Sequence, residues 1–267
     1  MTDTTTNPPG AGMGAPTRSG DDPRNTASKG TRVFGILSLI GIGWLVALGL
    51  GLSPDDQTQG DLVRLMYVHV PSAWLAYLSF GVTAMGSIMY LWKRSEWWDL
   101  VAASSAEIGV LFTGLALVTG MIWGRPTWGS YWEWGDARLV TTLVLFLMFL
   151  GYLAVRRIPA DTHVRSRRSA IVALIAVVDI PLVHFSVKWW RTLHQEATVL
   201  SSDFDPKIDD LMLFTLMVGL VVFTLVYVWF MLHRFRVAWL EEQLLDHSLA
   251  DAIEARRAEA VGTGATT

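Results

Sequence analysis

Six histidines and one tryptophan-dense stretch are the parts of this chain whose types and spacing could do chemistry. The stretch reads Trp123-Gly124-Arg125-Pro126-Thr127-Trp128-Gly129-Ser130-Tyr131-Trp132-Glu133-Trp134-Gly135-Asp136-Ala137-Arg138, with four tryptophans and one tyrosine in 16 positions. Indoles offer broad, rigid apolar faces, and each keeps an N–H that needs an acceptor. Such a platform suits a flat macrocycle, and Arg125 and Arg138 could meet its carboxylates in charge-assisted pairs. The plainer account is an aromatic belt, because tryptophan collects at membrane interfaces in any case. A belt, however, spreads its rings over many helix ends and needs no glycines at intervals in one segment. Among the histidines, His69 in Tyr67-Val68-His69-Val70-Pro71 and His184 each lie close to the end of an apolar run. Imidazole is a common axial ligand of haem iron, and an ionisable group at membrane depth is a functional candidate by default. The bland alternative for each histidine alone is interfacial hydrogen bonding.

The elements that must position these residues are membrane spans. Of the 267 residues, 52% are apolar, 17% are charged and 13 are tryptophan, and the apolar ones gather in long runs. A hydrocarbon core about 30 Å thick needs about 20 helical residues to cross. Six runs meet that length, at Val33–Leu52, Val70–Trp92, Leu100–Ile122, Leu139–Val155, Ser169–Val187 and Leu211–Leu232. The fold expected is an all-α integral membrane bundle of six helices, with the tryptophan-rich loop between spans three and four. Residues 1–32 read as a disordered cytoplasmic tail, 33–232 as the membrane domain, and 233–267 as a C-terminal amphipathic helix and tail. That last helix is expected at the inner surface or against a partner. The basic residues alternate: 15 of the 21 Lys and Arg lie in 1–32, 93–97, 156–168 and 233–267, against six in the other three loops. Basic excess marks the cytoplasmic side, so both termini are expected inside and the tryptophan loop outside an inner membrane. On that topology His69, His184 and His194 are external and His163, His233 and His247 internal. His184, 15 residues into the fifth span, has climbed about 22 Å, which puts it at an outer depth similar to that of His69.

Composition also excludes several classes. A net charge of −3 with no basic stripe argues against nucleic-acid binding. The absence of cysteine rules out disulfides, thiolate metal sites, a cysteine nucleophile and covalent C-x-x-C-H haem attachment, so any haem would be held noncovalently. No P-loop is present, so the chain has no nucleotide motor of that kind.

The tryptophan stretch, ending in Asp136-Ala137-Arg138-Leu139, resembles the "WWD" signature of haem-handling proteins of cytochrome c biogenesis. Tyr67-Val68-His69-Val70-Pro71 and Pro181 to Gln195 are similar to the haem exporter protein C branch, and the resemblance spans roughly residues 60–235. Gly135, between the last tryptophan and Asp136, departs from the signature. The resemblance implies haem b bound without a covalent link, His69 and His184 on the iron, and Trp123, Trp128, Trp132, Trp134 and Asp136 at the macrocycle. It implies no catalysis by the chain itself. It also implies delivery to a periplasmic haem chaperone, with ABC-type transporter subunits, a small membrane subunit and the lipid bilayer as partners. His194 competes as an anchor or carboxylate contact. Glu107 and Asp179, inside spans, are expected neutral or paired. Pro181 should kink the fifth helix. A b-type electron carrier, a solute permease and a haem-attaching synthetase of the same superfamily are the alternatives.

Overall fold

A computed structural model describes residues 28–190, 192–194 and 208–264. The expected N-terminal tail up to residue 27, Arg191 and most of the loop after residue 194 lie outside the described residues. Seven helices carry the fold: α1 (Lys29–Ala47), α2 (Met66–Lys93), α3 (Glu96–Trp128), α4 (Ala137–Arg156), α5 (Thr162–Val177), α6 (Asp179–Trp189) and α7 (Asp210–Gly264). With α5 and α6 counted together, they supply six helices long and apolar enough to cross a membrane. The chain is a multi-pass membrane protein. Hydrocarbon leaves no water for backbone polar groups, so a spanning segment must satisfy its own hydrogen bonds, and the helix does so.

Three boundaries differ from the sequence reading, each for a local reason. First, α3 continues past Ile122, so Trp123, Arg125 and Trp128 ride on helix and only Gly129–Asp136 is connecting segment. Pro126 lies inside this last turn and lacks the N–H that would reach the Ile122 carbonyl, so one intrahelical bond is lost there. Gly129 closes the helix in the left-handed region at φ 81°, its N–H bonded to the Arg125 carbonyl at 3.0 Å. Second, the fifth span is two helices that meet at Val178. Pro181 lacks the N–H that would reach the Val177 carbonyl, so the break falls one turn before the proline, as expected of a kink. Third, the sixth span does not stop near Leu232; α7 runs on without interruption to Gly264.

Helix α2 lies at the centre, against α3, α5 and α7, while α1 packs on α7 and α4 closes the side formed by α3, α5 and α6. Small residues let α2 and α3 approach closely. A side chain at Gly86 would come within 2.9 Å of the Trp98 carbonyl oxygen, and one at Gly109 would overlap the Phe80 ring. Phe80 in turn stacks on Phe149 of α4, with ring centres 3.7 Å apart. The Ser105 hydroxyl donates to the Ser79 carbonyl at 2.8 Å and pairs with the Tyr227 hydroxyl at 2.8 Å, joining α3, α2 and α7.

The end opposite the tryptophans carries interhelical ion pairs. Arg156 grips Asp99 through two contacts of 2.6 and 2.8 Å, and both side chains are largely buried. Arg165 holds Glu242 at 2.9 Å, and Arg234 holds Glu107 through two nitrogens. Glu107 is therefore paired, as expected. Asp179 is not: it is buried near Tyr77, and its Oδ2 has no partner among the described residues. Removing one member of a buried pair leaves an uncompensated charge. Arg156→Met is accordingly expected to lower stability by about 3–5 kcal/mol, while Asp99→Leu with Arg156→Met costs much less. Unfolding of both variants in detergent checks this.

Candidate functional site

The start of α2, the end of α3, the start of α4 and the end of α6 meet at one end of the bundle, and the candidate residues lie there. His69 is in the first turn of α2 and faces α3. Its Nδ1 lies 3.1 Å from the Thr119 hydroxyl, which spends its own proton on the Leu115 carbonyl at 2.7 Å. The hydroxyl therefore accepts from His69 Nδ1–H, which leaves Nε2 with its lone pair free for a metal. Gly120 makes room: a Cβ there would stand 3.0 Å from the His69 Cε1. One turn on, Trp123 meets the His69 ring edge-on at 5.7 Å and donates its indole N–H to Gln59 at 2.7 Å.

His184 lies on α6, exposed, edge-on to Tyr77 at 6.5 Å, with no hydrogen-bond partner among the described residues. Tyr77 is eight residues beyond His69 on α2, a rise of about 12 Å. His184 therefore stands against the Tyr77 turn of α2, while His69 stands against α3. Tyr77 also neighbours Arg138 and Asp179. Arg138 lies beside the Tyr77 hydroxyl and His194, a cation near both rings of the site.

Asp136 has a different place from the one its motif implies. Its side chain is fully buried as the N-cap of α4, accepting from Leu139 N–H at 3.0 Å. The second oxygen accepts from Leu193 N–H at 2.7 Å, and His194 Nδ1 lies 3.5 Å from the first. His194 packs edge-on to Trp128 at 4.9 Å. Asp136 therefore joins the tryptophan segment to the chain leaving α6 and has no oxygen facing outward for a macrocycle. Arg125 is exposed; one guanidinium nitrogen donates to the Gly129 carbonyl and the group covers the Tyr131 ring at 5.6 Å. Trp132 and Trp134 stand 5.4 Å apart, Trp134 largely exposed, while Trp132 Nε1 is buried without an acceptor. That orphan donor and the prepared Nε2 of His69 fit a ligand carrying both a metal and acceptor groups. Thr119, Gly120 and Tyr77 escaped the sequence reading. Thr119 and Gly120 lie one turn before Trp123, so a helix extended to Trp128 would have put them on the same face.

Two measurements follow from this geometry. Asp136→Ala should loosen the joint by about 1–2 kcal/mol through the lost cap alone, while Asp136→Asn recovers part of it, read by thermal unfolding. Burial pushes the His194 imidazole below its ordinary range; Asp136 opposes this and Arg138 reinforces it. With the folded value depressed, the unfolded chain takes the proton first. The stability is then complete above the ordinary imidazole range and is lost as pH falls through the folded value. Between about pH 7 and pH 5, the chain should lose more stability than His194→Phe does.

Residues 19–249 match the family described as Heme exporter protein C. The Heme exporter protein C of Bradyrhizobium diazoefficiens is 44% identical over 187 residues, covering 69% of this chain and 70% of that one. That of Haemophilus influenzae is 38% identical over 210 residues, covering 79% and 85%. A mitochondrial protein of Arabidopsis thaliana described as cytochrome c biosynthesis ccmC-like is 33% identical over 211 residues, covering 79% and 78%. The chain belongs to the Heme exporter protein C family.

Proposed function

We propose that the chain handles haem during cytochrome c maturation, holding haem b noncovalently at the tryptophan end of the bundle. The observation that carries this reading is the prepared His69: Thr119 fixes the tautomer, Gly120 clears the space, and Nε2 is left to bind iron. Bound haem supplies the iron; the protein supplies orientation and exclusion of water. His69 and His184 are the axial ligands in this reading. Trp123, Trp128, Trp132 and Trp134 line the macrocycle, and Arg138 takes a propionate. Arg125 and Asp136 build the site from behind. The alternating basic residues support cytoplasmic termini, which puts the haem at the outer face of an inner membrane. From there the haem passes to a periplasmic haem chaperone, with ABC-type subunits and a small membrane subunit completing the system.

The test is the absorption spectrum, oxidised and reduced, of protein prepared with ample haem. A low-spin six-coordinate signal is expected, lost in the His69→Ala/His184→Ala double variant and unchanged in His163→Ala. Full haem with an unchanged spectrum in the double variant would sink the assignment. Thr119→Val should lower haem affinity by about 10–100-fold while the residual bound haem keeps its ligand field, because a partner of the ligating ring has been removed rather than the ligand. Titration of the apoprotein with haem reads that loss.

A further inference from the structure

The segment between α1 and α2 is folded around one side chain. It turns at Asp56–Gly60, where main-chain bonds run both ways: Gly60 N–H donates to the Asp56 carbonyl at 2.8 Å, and Asp56 N–H to the Gly60 carbonyl at 3.3 Å. The Asp56 carboxylate accepts from Thr58 N–H at 2.8 Å and from Gln59 N–H at 2.7 Å. Gly60 sits at φ 55°, where a side chain would be strained. Turn and glycine together fix the main chain on both sides of Gln59. The flanks are fastened separately. Arg64 donates to the Gly49 carbonyl and to the Asp55 and Asp61 carboxylates, each at 2.8 Å, and the Ser53 hydroxyl pairs with the Tyr67 hydroxyl.

From this turn Gln59 reaches α3, 64 positions on, where its carboxamide oxygen accepts the Trp123 indole N–H at 2.7 Å. The Trp123 ring stands almost perpendicular to that of His69, at 80° with centres 5.7 Å apart. These two neighbouring rings each have a polar partner: Thr119 for the imidazole, Gln59 for the indole. An indole turns about two side-chain bonds, and a half-turn about the outer one would carry its N–H away from Gln59. The hydrogen bond therefore selects one placement of the ring. As a staple for the segment that bond is redundant, because the Asp56 turn, Arg64 and Ser53 hold the segment through bonds that do not involve α3. Its distinct consequence falls on the indole.

We propose that Gln59 is a positioning residue of the haem site, holding the Trp123 indole in one plane beside His69 from a turn that Asp56 and Gly60 keep rigid. This role rests on the reading of His69 and Trp123 as haem contacts, and it brings the first connecting segment into the site.

The full chain is prepared in detergent with tryptophan isotope-labelled at the indole nitrogen, and its indole N–H resonances are recorded by NMR before haem is added. The resonance missing from Trp123→Phe belongs to Trp123. It is expected to move upfield in Gln59→Leu and to stay downfield in Gln59→Glu, which keeps an acceptor, while resonances of distant indoles report an intact fold. Titration with haem should show Gln59→Leu binding about tenfold more weakly, on the scale of losing an outer partner of a bound group, with the spectrum of the bound haem unchanged. Gln59→Leu added to Trp123→Phe should cost nothing further, because phenylalanine has no N–H for Gln59 to hold. An unmoved resonance in Gln59→Leu would remove the bond itself. A moved resonance with full haem affinity would reduce the bond to a staple, and additive losses in the double variant would make Gln59 act elsewhere than through Trp123. Each of these overturns the role. A chain that takes up no haem in any form removes the haem reading and this role with it, whereas equally tight haem binding by the unaltered chain and by Gln59→Leu removes this role alone.

Discussion

The close approach of α2 and α3 is the contact on which the rest of the structure depends. Gly86, Ser79, Ser105 and Gly109 let two long helices meet at near-backbone distance, with hydroxyl groups bonded to carbonyls across the gap. In hydrocarbon there is no water to displace, so helix association draws on such packing and on interhelical hydrogen bonds. The same contact sets the register that brings Thr119, Gly120 and Trp123 of α3 opposite His69 of α2. A slip of one residue along either helix would turn the imidazole away from its hydroxyl. Packing near the middle of the bundle thereby governs the tautomer of a side chain at its end.

A second joint works at the tryptophan end itself. Asp136 caps α4, bonds Leu193 and stands beside His194, while Arg125 folds back over the segment it leaves. These are charged groups used for shape. Asp136 spends its hydrogen-bonding capacity within the protein, while the Trp132 N–H has no acceptor among the described residues. The division matters for how a tryptophan motif is understood. Its aromatic members face a ligand in the proposed site, and its acid holds the aromatic members where they are.

At the other end, ion pairs join the helices. Asp99–Arg156, Glu107–Arg234 and Glu242–Arg165 tie α3, α4, α5 and α7 where the apolar runs give out. Buried ion pairs are weak evidence for net stability but strong constraints on geometry, because neither partner tolerates being left alone. They hold α7 upright as it leaves the bundle, so the direction of its extension follows from the bundle itself.

The sequence by itself determined the number of spans, because a run of about 20 apolar residues has few other places to go. It also determined the helical class, and it singled out His69, His184 and the tryptophans by residue type and by resemblance. The six-span count holds, as does the break before Pro181, since hydropathy and the missing proline N–H act locally. What only the tertiary structure decided is how those pieces face one another. Counting residues put His69 and His184 at similar depth; which neighbours each ring meets, α3 for His69 and Tyr77 of α2 for His184, came only from packing. Motif membership put Asp136 with the ligand, but capping of α4 turned its carboxylate inward. Thr119, Gly120 and Gln59 were invisible because nothing in their types announces a contact made 50 or more positions away. Burial and pairing across helices are properties of the assembled bundle, and no window along the chain contains them.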